Sequence, residues 1–97
     1  MSTLRFEWDA VKAAANFRKH GVSFDEARTV FEDEEALFMA DPDHSADEDR
    51  WVLLGMSGAA RVLVVVHCEC AAGTVMHLIS ARKADREERD LYAARRP

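Results

Sequence analysis

The sequence has few of the features that would take a chain out of the class of small globular domains. Its 97 residues include 4 glycines and 2 prolines, and 48% are hydrophobic. Collagen-like and disordered chains are excluded, because this much apolar surface can offset the entropy lost on ordering. No apolar run approaches the roughly 20 residues that cross a bilayer. Met1 to Asp9 also lacks the apolar segment of a secretory signal, so we expect one cytoplasmic domain over residues 1–97.

Cysteine is equally scarce. The two cysteines, Cys68 and Cys70, are separated by one residue within a segment that has the pattern of a strand. Side chains at i and i+2 of a strand share a face, where a disulfide between them would be strained. A metal site that adds His67 or His77 lacks a second closely spaced ligand pair. We therefore expect two reduced cysteines that serve as small buried hydrophobic residues, no metal and no cofactor.

Lysine and arginine are absent from residues 29–49, which contain nine acidic residues. Residues 82–97 instead contain six basic residues against four acidic ones, and Arg18, Lys19 and His20 form another basic cluster. The net charge of −5 is unfavourable for binding nucleic acid. Because the charges are segregated, a positive surface can coexist with an acidic whole, and RNA is not excluded as a ligand.

The first half of the chain has the pattern of a strand, two helices and a second strand. The first strand is predicted at Leu4–Trp8. Asp9 and Gly21 suit the two caps of a helix from Ala10 to about His20. The stripe expected to bury this helix consists of Ala10, Ala13, Ala14 and Phe17, and the polar stripe consists of Lys12, Asn16 and Lys19. A capping box at Ser23–Glu26 predicts a second helix to about Phe31, followed by a strand at Ala36–Ala40.

The second half is predicted to be mainly β-structure. A polar loop from Asp41 to Asp49 precedes strands at Arg50–Met56, Arg61–Glu69 and Thr74–Ala81, and a last helix spans Asp85–Ala94. Connections this short require antiparallel neighbours. The predicted fold is an α+β domain in which two N-terminal helices pack on one face of an antiparallel sheet, with a short C-terminal helix.

Side-chain alternation along Arg61–Glu69 predicts which groups face solvent. Val62, Val64, Val66 and Cys68 share one face, which the pattern favours as core. The opposite face would then present Arg61 and His67, with His77 from the next strand. Arg50 and Arg82 stand at strand ends. These are the residue types for RNA cleavage without metal, in which histidine moves protons and arginine neutralises phosphate.

Each candidate also has a structural interpretation. His20 suits the negative end of a helix dipole, and His67 between valines suits the core. Tyr92 is typical of a packing residue whose hydroxyl reaches water. Arg86 and Arg89, with Glu87 and Glu88, are typical of a solvated helix face. The residue types alone therefore leave the function open.

Several blocks spread over the chain resemble the BrnT toxin family. They are Phe6–Asp9, Lys12, Asn16, Lys19–Ala27, Val30–Phe31, Asp41, His44, Glu48, Arg50, Ile79–Ala84, Glu88 and Tyr92. The resemblance implies a type II toxin–antitoxin ribonuclease of RelE-like fold that inhibits translation. It also implies a BrnA-type ribbon-helix-helix antitoxin, through which the pair contacts operator DNA and represses its operon. One departure is His77, where the family often has arginine.

The resemblance favours functional roles for the residues in these blocks. We expect His67 or His77 to act as acid or base, and Arg50 and Arg82 to hold the scissile phosphate. Lys19, His20, Lys83 and Tyr92 would contact flanking RNA. Two alternatives are a catalytically inactive homologue that serves only as antitoxin partner and co-repressor, and a small RNA-binding module. His77 and the acidic surface offered to a basic partner favour the first alternative.

Overall fold

A computed structural model describes residues 4–41 and 50–95 of the chain. The helices and strands follow one another in the predicted order. They are β1 (Arg5–Glu7), α1 (Ala10–His20), α2 (Phe24–Thr29), β2 (Leu37–Ala40), β3 (Arg50–Met56), β4 (Val62–Cys70), β5 (Val75–Lys83) and α3 (Arg86–Arg95). Short 3₁₀ turns follow α2 at Val30–Glu32 and β4 at Ala71–Gly73. The predicted loop between β2 and β3, residues 42–49, lies outside the described residues.

The five strands form one sheet in the order β1-β5-β4-β3-β2. Strands β2 to β5 are antiparallel neighbours, as their short connections predict. Strand β1 pairs with β5 in parallel, with Glu7 opposite His77, so the prediction of a purely antiparallel sheet is wrong. The parallel pair arises because α1 and α2 carry the chain from β1 to the far side of the sheet before the meander begins.

The predicted helix caps are confirmed at α1. The Asp9 carboxylate accepts from the amides of Val11 and Lys12, and Gly21 closes the helix at φ 69°. At α2 the Ser23 hydroxyl accepts from the Glu26 amide as predicted. The Glu26 carboxylate instead accepts from Ser57 and Arg61, so it ties α2 to the turn between β3 and β4. The helices in the described residues are too short and too polar to span a membrane.

Helices pack on both faces of the sheet. On the first face, residues of α2 pack with Leu63 and Val65 of β4 in the larger core cluster. On the second face, Tyr92 of α3 packs with Val64 and Leu54. The prediction that the helices cover the valine face of β4 is therefore wrong for α1 and α2, which cover the opposite one. Alternation could not show this, because both faces of β4 are apolar and both are covered.

A bulge in β5 changes which residues share a face. Cys68 pairs with His77 and His67 with Leu78, but Val66 pairs with Ser80, so one residue of β5 is extra. Beyond this point the alternation of β5 is reversed. Arg82 therefore projects on the second face opposite Val64, and Lys83 projects on the first face opposite Leu63.

Candidate functional site

His67 is buried on the first face and does not reach solvent. Its exposed fraction is 0%, and the rings of Phe31 and Phe38 lie 4.9 and 5.7 Å from its ring centre. Burial lowers the pKa of His67 to about 4, and a backbone contact with Val65 opposes this only in part. Neither ring nitrogen has a hydrogen-bond partner of normal geometry. The prediction that His67 lies on an open sheet face is wrong, and RNA cannot contact it here.

His77 and Arg50 lie in one row across the second face. Both pair with Cys68 of β4, His77 from β5 and Arg50 from β3, so all three side chains project on the same side. Two strand spacings separate the backbones of His77 and Arg50, or about 10 Å. The His77 side chain is 37% exposed, and that of Arg50 is 25% exposed. An imidazole and a guanidinium thus face one accessible patch, within reach of a single phosphate.

A carboxylate from the next strand contacts each of these two groups. Glu7 Oε2 lies 3.1 Å from His77 Nδ1. Asp41, at the end of β2, accepts from Arg50 Nε at 3.1 Å. A hydrogen bond at Nδ1 directs Nε2 of the imidazole away from Glu7. The Arg50 bond uses one of the five N–H donors of a guanidinium. Four strand residues and Asp41, which directly follows β2, therefore form one row. We call it the His77 row: Glu7, His77, Cys68, Arg50 and Asp41.

Arg82 lies apart from the His77 row. It pairs with Val64, four residues along β4 from Cys68, which is about 13 Å. Glu88 binds its guanidinium with two bonds of 2.8 Å. This pairing raises the pKa of Arg82 and lowers that of Glu88. Glu88 also forms a reciprocal capping box with Asp85 at the start of α3. Arg82 therefore anchors α3 to the sheet, and the structure does not bring it together with Arg50.

Lys19, His20 and Lys83 lie at the same end of the sheet as Arg82. The carbonyl of Gly21, just after α1, accepts from Arg61, and the amide of Ala84, just after β5, donates to Val62. These bonds bring together the end of α1, the start of β4 and the end of β5. Lys19 and Lys83 are exposed, and His20 is partly exposed. We call this surface the basic end: Lys19, His20, Arg61, Arg82 and Lys83.

Tyr92 is a core residue of the second face. It is 3% exposed, and its hydroxyl donates to Asp33 at 2.6 Å. It borders a cavity of about 370 Å³ whose lining includes Glu32, Asp33 and Glu35. Carboxylates repel a phosphate backbone, so this cavity does not suit RNA. The prediction that Tyr92 contacts RNA is wrong in this structure, because the ring is buried beneath α3.

The comparisons agree with this architecture. The family model described as the ribonuclease toxin BrnT of a type II toxin–antitoxin system matches residues 8–88. The chain belongs to the BrnT family. The crystal structure of the Brucella abortus ribonuclease toxin BrnT, solved at 1.1 Å, superposes with a TM-score of 0.66 at 21% identity, over 87% of this chain and 100% of that one. No curated protein matches.

As a BrnT toxin, the chain is a member of a ribonuclease family. Its sequence alone did not show which acidic groups contact His77, Arg50 and Arg82. Glu7 contacts His77 only because β1 pairs in parallel with β5. Asp41 reaches Arg50 across an antiparallel pair whose register was unknown. Glu88 was detectable, because Asp85 three residues before it completes a capping-box pattern. His44 and Glu48, which support the family resemblance, lie outside the described residues.

Proposed function

We propose that this BrnT toxin cleaves RNA at the His77 row. The observation that supports the proposal is the placement of His77 and Arg50 on either side of Cys68, on the accessible part of the second face. A phosphodiester seated there would meet a proton acceptor and a bidentate cation together. With His67 buried, His77 is the histidine that the described site offers.

The chemistry that this geometry supports is transesterification by the neighbouring ribose hydroxyl. His77 Nε2 takes the proton of the 2′-OH as its oxygen attacks phosphorus. Arg50 neutralises the charge that develops on the phosphorane oxygens. The bond from phosphorus to the 5′ oxygen then breaks, and water protonates the leaving oxygen. The products are a 2′,3′-cyclic phosphate and a 5′-hydroxyl, and no metal ion takes part in these steps.

We assign flanking RNA contacts to the basic end. Lys19 and Lys83 are exposed there, so they can bind phosphates without any charged group having to be buried. Arg82, at about 13 Å from the His77 row along β4, would contact a neighbouring phosphate and not the scissile one. Its bidentate bond to Glu88 would have to open first.

The proposed biological role is growth arrest through loss of translatable RNA in the cytoplasm. A BrnA-type antitoxin would neutralise the toxin, and the complex would bind operator DNA through the ribbon-helix-helix domain of the antitoxin. The five-stranded mixed sheet, with helices α1 and α2 on one face and α3 on the other, supports a RelE-like classification.

The test begins with induced expression of the chain in a bacterial host and total RNA on a gel. We expect arrest and fragmented RNA, both relieved by the antitoxin. Purified protein should cleave an oligoribonucleotide in excess EDTA and leave cyclic phosphate ends. Arg50→Ala should slow cleavage about 100-fold, as for removal of one group that stabilises a transition-state charge. Arg95→Ala, at the end of α3, is the matched control. Linear phosphate ends, or inhibition by EDTA, would contradict the mechanism.

The contacts of the candidate site also favour a second candidate, an inactive toxin that acts as antitoxin partner and co-repressor. His77, Arg50 and Arg82 each contact a carboxylate of the chain itself. Normal growth and intact RNA, with a soluble protein that still binds the antitoxin, would support this second function.

A further inference from the structure

Helix α1 presents its apolar stripe to solvent. Val11 is 77% exposed and Phe17 is 56% exposed, the two highest values among the large hydrophobic residues of the described chain. Ala10 and Ala14, predicted to face the sheet, are exposed as well, and Ala13 is only partly buried. The prediction that this stripe packs on the sheet is therefore wrong for three of its four residues.

The orientation of α1 is fixed by Asn16, which was predicted to lie on the polar stripe. Asn16 is buried, and its amide group donates to the carbonyls of Val22 and Ala81 at 3.0 and 2.8 Å. Its side-chain oxygen accepts from the Ala81 amide at 3.1 Å. Rotating α1 to bury Phe17 would break all three bonds and leave buried polar groups unpaired, which is costly. The exposed stripe is therefore a fixed surface of the folded protein.

This surface is continuous and lies opposite Asn16. At 100° per residue, five positions fall within an arc of about 120° whose centre is turned away from Asn16. We call it the α1 outer face: Ala10, Val11, Ala14, Phe17 and Arg18. The alanines between the larger side chains are small enough to let another backbone approach closely. Exposed apolar groups so arranged are typical of a protein-binding surface.

The charge of α1 indicates the chemistry of the partner. From Ala10 to His20 the helix has no acidic residue, and Arg18 lies within the outer face. The α1 helix of a second copy of this chain would offer no carboxylate to Arg18, so the charge of this face would stay uncompensated. RNA is also a poor fit, because Phe17 is the one ring of this face on which a base could stack and Arg18 its one cation, whereas RNA-binding surfaces combine several of each.

We propose that the α1 outer face is the docking surface for an acidic amphipathic segment of the antitoxin. The proposal rests on the part of the proposed function that gives this toxin an antitoxin, and it is independent of the cleavage mechanism. Apolar side chains of the segment would cover Val11 and Phe17, and a carboxylate of the segment would pair with Arg18. Helix α1 packs on the first face of the sheet and the His77 row projects on the second, so neutralisation would not require the antitoxin to fill the active site.

The test compares antitoxin binding of two surface variants by calorimetry, with the full-length antitoxin encoded beside this toxin as the probe. Val11→Ser with Phe17→Ser should weaken the complex about 100-fold, as expected for loss of two central apolar anchors. Leu91→Ser is the matched control, because Leu91 is 49% exposed on α3 and its loss should leave the affinity unchanged. Arg18→Glu should weaken antitoxin binding. It should not make the affinity more dependent on salt, because the substitution removes an attraction between opposite charges.

Several outcomes would overturn the inference. The first is equal affinity of the double variant and wild type. The second is loss of RNA cleavage by the double variant with antitoxin binding intact, which would assign the face to RNA. If the double variant unfolds at lower denaturant than Leu91→Ser, NMR of the wild-type protein decides instead. Amide signals of Val11 to Arg18 should then shift on adding antitoxin, and unchanged signals would overturn the proposal. No binding by wild type would instead refute the proposed partnership itself.

Discussion

The two faces of the sheet give a histidine side chain opposite environments. His67 on the first face is enclosed by Phe31 and Phe38, without solvent contact or hydrogen-bond partner. His77 on the second face is directed to solvent and contacts Glu7. The two histidines belong to adjacent strands and adjacent register positions. Which face a residue occupies, and what covers that face, therefore decides whether an imidazole can act on a ligand.

The largest expected difference between the two histidines is in the rate of RNA cleavage. His77→Ala should lower the rate of RNA cleavage about 100-fold or more, the usual contribution of a general acid or base. The free energy of unfolding should change little, because the side chain is partly exposed. His67→Leu is the matched control and should retain cleavage. His77→Arg separates the roles of this position: recovery of activity would show that it binds phosphate and contradict proton transfer.

The second effect is on stability in acid and concerns His67. Its pKa is about 4 in the folded state, against an ordinary value of 6.5. The unfolded chain therefore binds the proton more tightly than the folded protein does, and acid lowers the free energy of unfolding. This penalty is absent above pH 6.5, grows as the pH falls and is complete below about pH 4. Since a tenfold change in proton affinity is worth about 1.4 kcal/mol, the full penalty is about 3 kcal/mol.

Urea unfolding at pH 7.5 and 4.5 measures this penalty. Wild type should lose about 2–3 kcal/mol more than His67→Leu between the two values. At pH 7.5 the variant should be at least as stable, because leucine leaves no buried nitrogen unpaired. Parallel pH curves for the two proteins would mean that His67 is not buried as the structure has it.

The third effect concerns how the first face holds α1. Asn16→Ala should cost about 2 kcal/mol or more, because two carbonyls and an amide lose buried hydrogen bonds. Lys12→Ala on the exposed side of the same helix is the matched control, with an expected change below about 0.5 kcal/mol. Denaturant unfolding measures both. A similar small change in the two variants would show that α1 is held mainly by other contacts.

The smallest effect concerns Glu7 on the second face. Because the Glu7–His77 pair is exposed, Glu7→Ala should slow cleavage less than about tenfold. Glu7→Gln keeps an acceptor for Nδ1–H and should recover most of the rate. Nitrogen NMR of the His77 ring gives a readout independent of activity: the proton should sit on Nδ1 in wild type and be shared between both nitrogens in Glu7→Ala. The same tautomer in both proteins would contradict this role.

The sequence predicted the parts of the fold that depend on local chemistry. The caps at Asp9 and Gly21 fixed both ends of α1, and strand β3 begins and ends where its pattern indicates. These signals are local because a side chain or a left-handed residue acts on the neighbouring backbone. The position and parallel direction of β1 were not predictable in this way, since a three-residue edge strand carries too little pattern to choose a partner.

The candidate site was predicted less well, for identifiable reasons. The residues of β4 are mainly apolar on both faces of the strand. The valines on the second face therefore did not reveal that the first face contains the larger core cluster. Asn16 was predicted to face solvent because amide side chains usually do. In the structure it instead forms hydrogen bonds with backbone groups of Val22, after α1, and of Ala81 in the sheet. His77 was predicted as a site residue by residue type and Arg50 by residue type and resemblance, but only the register shows that Arg82 is separate from them.

The bulge in β5 has a consequence for the loss of residues from this strand during evolution. His77 and Arg82 are an odd number of residues apart, and they project on the same face because β5 carries one residue more than its partner. If β5 paired without the bulge, Arg82 would lie opposite Leu63 and project on the first face, away from Glu88. Deleting the extra residue at Ile79 would instead leave Ser80, Ala81 and Arg82 opposite Val66, Val65 and Val64. A relative that lacks one residue at this point would therefore keep the α3 anchor, with its equivalents of His77 and Arg82 an even number of residues apart.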